Sequence, residues 1–351
     1  MIKRFLSAPV VFGVVLFVTL GTMVYMLLGK GAEQQIVEQV FLREQTVTKA
    51  GAVAIESFLT LAGRSLALVG ENDTIQNFKP GSEAILKRFV QKWKGTSIVG
   101  VSVANDLGVV NLTVNQDGTK AGEGVSIADR DYFSRAKASN DEQIIIGNAV
   151  ISRLGQSKGH FVAPLIASMH DEKGKFLGVV VSSTILEELT KYYVEPLKIS
   201  DRTGVYLVAD DGTILYSSFG PEVEENLPAY IRKHPFLGSE VIAKKVEAGL
   251  KKGEGGKLDL VIPTNRNQPW TWKHHLLAYS PINIGEGRYW YVALTTPVDD
   301  ARQYMGPIYV RIVGTYLVVF LALLGYAVWL AKRVAYKQAS KDEHEEHGVD
   351  K

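Results

Sequence analysis

Residues 9–29 and 312–331 form two uncharged apolar runs in a chain of 351 residues, and everything between them is too polar to sit in a membrane. Each run holds about 20 residues, which at ~1.5 Å rise per residue matches a ~30 Å hydrocarbon core. Two spanning helices are expected, with the substance of the protein between them. The alternative for the first run is a cleavable signal peptide, whose apolar stretch is usually ~7–15 residues long and ends at a small-residue site. Met23-Val24-Tyr25-Met26-Leu27-Leu28 offers no Ala-x-Ala, so an uncleaved anchor is the expectation. The second run has Arg311 at its leading edge, where a long side chain snorkels toward headgroups, with Tyr304, Tyr309 and Tyr316 near the same interface. Lys332-Arg333 closes its trailing edge.

Orientation follows from the Lys and Arg residues close to the spans. Lys3, Arg4, Lys332, Arg333 and Lys337 lie on the short ends, against Lys30 and Arg311 beside the large loop. This bias places both termini in the cytoplasm and residues 30–305 outside the inner (plasma) membrane. The absence of cysteine is compatible with that compartment. A net charge of +2 gives no sign of a nucleic-acid surface.

From Glu33 to about Val69 the apolar positions Ile36, Val40, Val47, Ala50, Ala54, Phe58, Leu61 and Leu66 recur mostly at helical spacing. A helix of roughly 35 residues reaches ~50 Å. It serves equally as a packed core helix or as a lever between membrane and ligand domain. Beyond it come short β-branched and aromatic runs punctuated by Gly, Asn and Asp, the pattern of strands and hairpins. Residues 98–104, the turn Asn105-Asp106-Leu107-Gly108 and residues 109–114 have an echo about a hundred residues on. There residues 204–209, Asp210-Asp211-Gly212 and residues 213–216 repeat the order. A second echo pairs residues 160–166 with 275–282, followed by closing strands at 176–182 and 289–295. Four landmarks in the same order predict an α+β protein with two tandem modules, each with an antiparallel sheet and packed helices. Helices are expected at 83–92, 132–138 and 186–193 in the first module, and at 228–233 and 239–250 in the second.

The ordered set of long helix, strand-Asn-Asp-x-Gly-strand, Asp129-Arg130-Asp131-Tyr132-Phe133, Val150-Ile151-Ser152-Arg153, Pro-bearing strand and Gly-Val-Val-Val closing strand resembles the double Cache family. That family comprises PAS-like extracytoplasmic sensor domains of bacterial chemoreceptors, sensor kinases and diguanylate cyclases, and the resemblance spans roughly residues 30–305. It implies a membrane-distal module at 95–198 and a membrane-proximal one at 199–305. The remaining segments are a cytoplasmic N-terminus at 1–8, spans at 9–29 and 306–331, a long helix with its connection at 30–94, and a cytoplasmic tail at 332–351.

Asp129-Arg130-Asp131-Tyr132-Phe133 puts a permanent cation, two carboxylates and two rings just after the Gly122–Gly124 loop. A guanidinium grips a carboxylate through two parallel charge-assisted hydrogen bonds, each worth roughly 1.5–3 kcal/mol in a dry pocket. The alternative is that Arg130 pairs internally with Asp129 or Asp131 while the rings begin a core-facing helix. The resemblance implies that Arg130, Tyr132 and Phe133 contact a ligand carboxylate. It also implies an Asp after the closing strand to hold an ammonium, in a stretch usually reading Gly-Val-Val-Gly-x-Asp. Here that stretch is Gly178-Val-Val-Val-Ser-Ser183, with Ser183 in place of the acid. An ammonium without its counter-ion is costly to desolvate, so a small carboxylate is favoured over an amino acid. Ser182 and Ser183 would supply hydroxyl donors, and Arg153 and His160 are candidates to flank the cavity.

No Ser-His-Asp constellation, phosphate-cradling loop or metal-ligand spacing stands in a credible context, so no catalytic residue, cofactor or metal is expected. Asp210-Asp211-Gly212 is a turn signature rather than a calcium loop. His344-Glu345-Glu346-His347 lies in a charged tail expected to be disordered. The chain ends about 20 residues after Leu330, leaving no room for a kinase, cyclase or methyl-accepting helix. A sensor signalling through a partner is therefore expected, either as a homodimer or with a separate transmembrane kinase or receptor. The competing class is a passive membrane-tethered binding or envelope interaction module. Gly314 and Gly325 are not spaced as a Gly-x-x-x-Gly seam, which leaves the long helix as the expected contact surface.

Overall fold

The computed structural model describes residues 8–139, 144–219, 223–233, 239–263, 272–303 and 306–346. The chain divides into two units, Met1–Val40 with Asp299–Lys351, and Phe41–Val298. One helix, α1 (Ala8–Gly70), runs from the first into the second. The anchor and the long helix read separately from the sequence are thus one element. No proline follows Pro9 until Pro80, and Pro9 itself lies in the first turn, where its missing N–H is harmless.

The second unit carries two antiparallel sheets. The first contains β1 (Ile98–Asn105), β2 (Val110–Asn115), β3 (Ile144–Ile146), β4 (Val150–Ile151), β5 (Phe161–His170) and β6 (Phe176–Ile185). Its order is β2-β1-β6-β5-β3, with β4 also on β5. The second contains β7 (Gly204–Val208), β8 (Ile214–Ser217), β9 (Gly256–Pro263), β10 (Trp272–Asn283) and β11 (Tyr289–Pro297), in the order β8-β7-β11-β10-β9. Both sheets therefore place the opening hairpin beside the closing strand, as the sequence echo requires. The β1–β2 turn forms because the Asn105 side chain accepts from Leu107 N–H (3.1 Å) and Val109 N–H (3.0 Å). Gly108 supplies the positive φ of +77°.

One continuous core joins both sheets to α1. Ile55, Leu59, Ala62 and Leu66 from the helix share it with Val101, Val103, Leu165 and Val180 of the first sheet and Leu207, Trp290, Val292 and Leu294 of the second. Burying each large aliphatic side chain contributes roughly 1.5–3 kcal/mol, so the modules are not independent bodies. The buried stripe of α1 also differs from the expected one. Ala50 and Leu61 are exposed, whereas Glu44, Thr48 and Ala52 are buried. An apolar count passes over a stripe that contains a carboxylate, a hydroxyl and a small alanine.

The remaining helices of this unit are α2 (Asp73–Gln76), α3 (Ser82–Lys92), α4 (Asp131–Ala138), α5 (Leu186–Tyr193), α6 (Leu227–Lys233) and α7 (Ser239–Lys252). On the second sheet, α7 closes the face away from α1. Val246 and Leu250 pack there on Val208 and Tyr291, whose hydroxyl donates to Leu250 O at 2.8 Å.

In the first unit, α8 (Val298–Gln303) is followed by α9 (Gly306–Glu346). A Cβ at Gly21 would overlap the Tyr316 ring, so this glycine allows close approach of the two helices. Helix α9 continues well past residue 331, and the expected disordered tail is helical as far as Glu346. Its alanines, lysines and glutamates are good helix formers; His347 lies outside the described residues. Among the described residues two stretches are long and apolar enough to cross a membrane, Gln34–Gly70 and Tyr309–Tyr326. Of the first, 44% is buried in protein, the mark of a core helix, and of the second none is. Most side chains of residues 9–29 lie outside the described residues.

Candidate functional site

Helix α4 sits on the face of the first sheet opposite α1. Arg130 is its N-cap in extended conformation, and the helix buries Tyr132, Phe133 and Ala136. Phe133 meets Phe176 edge-on, with ring centroids 5.8 Å apart, and joins the core with Ile166, Val179 and Val181. Phe133 is 4% exposed and packs in that core. Tyr132 belongs to the same buried cluster, and a Cβ added at Gly147 would stand 3.1 Å from Tyr132 Cβ and 2.6 Å from Pro164 Cγ. Gly147 is thus the gap through which the tyrosine reaches Pro164.

From Pro164 a row of side chains crosses the sheet on that face. Pro164 is opposite Ser183, Ser183 opposite Gly100, and Gly100 opposite Asn115. Directly opposed residues share a face. The next row holds Ile166, Val181, Ser102 and Thr113, with Ser102 Oγ and Thr113 Oγ1 3.0 Å apart. Gly100 and Gly155 leave room for the Asn115 amide, which a Cβ at either position would strike. Asn115 also ties down the overlying loop by donating to Thr119 O at 3.0 Å.

The charged residues sort into separate pairs. Arg153 Nη1 lies 2.7 Å from Asp129 Oδ2, and the hydrogen bond from Arg153 holds the Asp129 carboxyl below its ordinary pKa. Asp131 Oδ2 accepts from Asn148 Nδ2 at 2.9 Å. Arg130 pairs with neither. Its Nη2 donates to Ile151 O at 3.1 Å, and it makes no ion pair among the described residues. Burial pushes the Tyr132 hydroxyl up to about 12, with the Arg130 charge the largest opposing influence, so it stays protonated and able to donate at neutral pH. A half-buried cation with donors to spare beside a protonated phenol can hold an anion.

Ser182 and Ser183 stand on opposite faces of the first sheet. Ser182 is opposite Val101 and Leu165, which belong to the α1-side core, and its hydroxyl donates to Gly100 O at 3.0 Å. Ser183 faces α4. His160 is exposed, and its backbone does the bonding, accepting from Ser152 N–H at 3.0 Å. Ser102, Thr113 and Asn115 escaped the sequence reading, although the alternation of β1 placed Ser102 on the face opposite Val101 and Val103.

Asp210-Asp211-Gly212 is a turn, with Thr213 N–H bonded to Asp211 Oδ1 at 2.8 Å and Gly212 N–H to Ala209 O at 3.0 Å. Among the described residues no group of three or more acidic or His side chains could hold a metal ion.

The Cache domain family model matches residues 32–305. Among solved structures, the chain is similar to an extracellular ligand binding receptor from Desulfohalobium retbaense DSM5692, with 16% identity and a TM-score of 0.51. That match covers 70% of this chain but 38% of the receptor, so the chain spans well under half of it. The ligand binding domain of the Pseudomonas aeruginosa PAO1 amino acid chemoreceptor PctB, solved with L-Gln, matches at 13% identity and TM-score 0.53, covering 74% of this chain and 91% of PctB's domain. The ligand-binding domain of the Pseudomonas fluorescens chemoreceptor CtaA, solved with L-isoleucine, matches at 16% identity and TM-score 0.52, covering 78% and 98%. No curated protein matches by sequence.

Proposed function

Since the chain belongs to the Cache domain family, a family of sensory ligand-binding domains, we propose that it is a membrane-anchored extracytoplasmic sensor for a small carboxylate. The observation that carries this reading is Arg130, a cation at the start of α4 that makes no ion pair among the described residues. Tyr132 and Ser183 supply neutral donors, and Asn115, Ser102 and Thr113 extend the polar face. PctB and CtaA were solved with amino acids, which also present a carboxylate. An amino acid further needs an acid for its ammonium. Asp129 is neutralised by Arg153, and residue 183, where the resemblance implies the acid, is Ser, while Asp131 keeps its charge in its hydrogen bond to the neutral Asn148 amide. A carboxylate without an ammonium fits this set better.

In this reading residues 9–29 and the lower part of α9 cross the membrane, with both termini cytoplasmic and no catalytic step. Leu42, Val53, Leu61 and Leu68 are exposed on α1, supporting a role for that face in a homodimer or in contact with a transmembrane kinase or receptor. Thermal-shift screening of the full chain in detergent against carboxylates and amino acids tests the proposal. A ligand at 100 times its dissociation constant adds about 2.7 kcal/mol of stability. Stabilisation by amino acids alone would replace the carboxylate reading, and no stabilisation by either class would remove it.

A further inference from the structure

The β10–β11 hairpin of the second sheet ends in a turn, Gly285-Glu286-Gly287, that reaches the first sheet at the candidate site. Glu286 Oε2 lies 2.5 Å from Arg135 Nη2, at the far end of α4 from Arg130. Arg288 Nη2 donates to Ile146 O at 2.6 Å, and its Nη1 donates to Asn148 Oδ1. Asn148 in turn holds Asp131 at the start of α4. The segment from Ile146 to Ile151 is therefore gripped at one end by Arg288 and at the other by Arg130, through Ile151 O. Arg288 is half-buried, with its Nε buried and without a hydrogen-bond partner, Glu286 standing 3.8 Å away. A guanidinium held in this way tolerates little displacement of its partners, because each lost bond leaves a desolvated donor.

We infer that Glu286 and Arg288 form a clamp coupling the Arg130 site to the second sheet and to β11. The inference rests on reading the Arg130 cluster as the ligand site. An anion drawing Arg130 away from Ile151 O, or pulling the start of α4 toward the sheet, shifts both anchors of the clamp. The hairpin then transmits the shift along β11. Arg288 and Asn148 are positioning residues in this scheme, since they act on α4 and do not touch the ligand.

Hydrogen exchange by mass spectrometry on the full chain in detergent tests the clamp without a ligand. Arg135→Glu and Glu286→Arg singly should each accelerate exchange about fivefold in residues 131–138 and also in residues 289–297. The double reversal should restore both. Glu286→Gln and Arg288→Lys give milder forms of the same result if a reversal does not fold. Acceleration confined to residues 131–138 overturns the coupling and reduces the clamp to a local staple. In a second arm L-glutamine and succinate serve as probes, and protection should appear in residues 289–297 with a bound probe and be lost in Arg288→Ala. Binding without that protection also overturns the clamp. If neither probe binds and Arg130→Ala changes nothing, the ligand reading fails, while the reversal experiment still decides whether the hairpin couples the sheets.

Discussion

Arg153 lies 2.7 Å from Asp129, and this ion pair occupies the carboxylate that Arg130, next in sequence, would otherwise attract. Two adjacent residues of opposite charge are thereby kept apart by a third, and the arrangement predicts unequal roles for the two arginines. Arg130→Ala should weaken binding of any carboxylate found by screening at least tenfold, since it removes a charge-assisted anchor. Arg153→Ala breaks a solvent-exposed pair and should leave stability nearly unchanged, with a smaller effect on affinity. Calorimetric titration of both variants checks this, and equal losses would show that the pair acts as one unit.

The two serines of β6 give a second test. Ser183→Ala should lower affinity and leave stability nearly unchanged. Ser182→Ala removes a buried hydrogen bond to Gly100 O and should lower stability by about 1 kcal/mol without affecting affinity. Denaturant unfolding and ligand titration on each variant separate the two. Loss of affinity in Ser182→Ala at unchanged stability would contradict the register of β6.

Much of the fold was legible because its hairpins announce themselves. Asn105-Asp106-Leu107-Gly108 between two β-branched runs specifies a turn on local chemistry alone, and α5 matches the expected 186–193 because its apolar face and flanking strand are both local. The misses have physical causes. Strands β3 and β4 have three and two residues, too few for a period to show. Strand β9 is different: Leu258, Leu260 and Ile262 alternate with Lys257 and Asp259, a period-two strand signal legible in the sequence. The opposite directions of Ser182 and Ser183 were available from strand geometry and went unused. Arg288 on Ile146 could not be read, since residues 142 apart in sequence meet only through the pairing of two sheets.

Topology supplies a third prediction. With no native cysteine in the chain, a single cysteine introduced near Gly118 should react with an impermeant thiol reagent in whole cells. Ser340→Cys should react only after lysis. The reverse pattern would place residues 41–298 in the cytoplasm and end the extracytoplasmic reading.

The last prediction concerns Glu44, buried in the stripe of α1. Neither carboxylate oxygen has a hydrogen-bond partner of normal geometry. Burial raises its pKa from 4.5 to about 8, offset in part by the neighbouring Thr296 hydroxyl. A folded state that holds this proton more tightly than the unfolded chain is fully stable below about pH 4.5, where both forms are protonated. Between there and pH 8 the unfolded chain releases the proton first, so stability falls as pH rises, by an amount on the order of 4 kcal/mol. Above about pH 8 both forms are ionised, and the loss is complete. Glu44→Gln keeps a neutral side chain of the same size, so it should match the wild type near pH 4.5 and exceed it at pH 8.5. Melting temperatures of both proteins across that range check the sign, and an unchanged wild-type slope in Glu44→Gln would assign the pH dependence to another group.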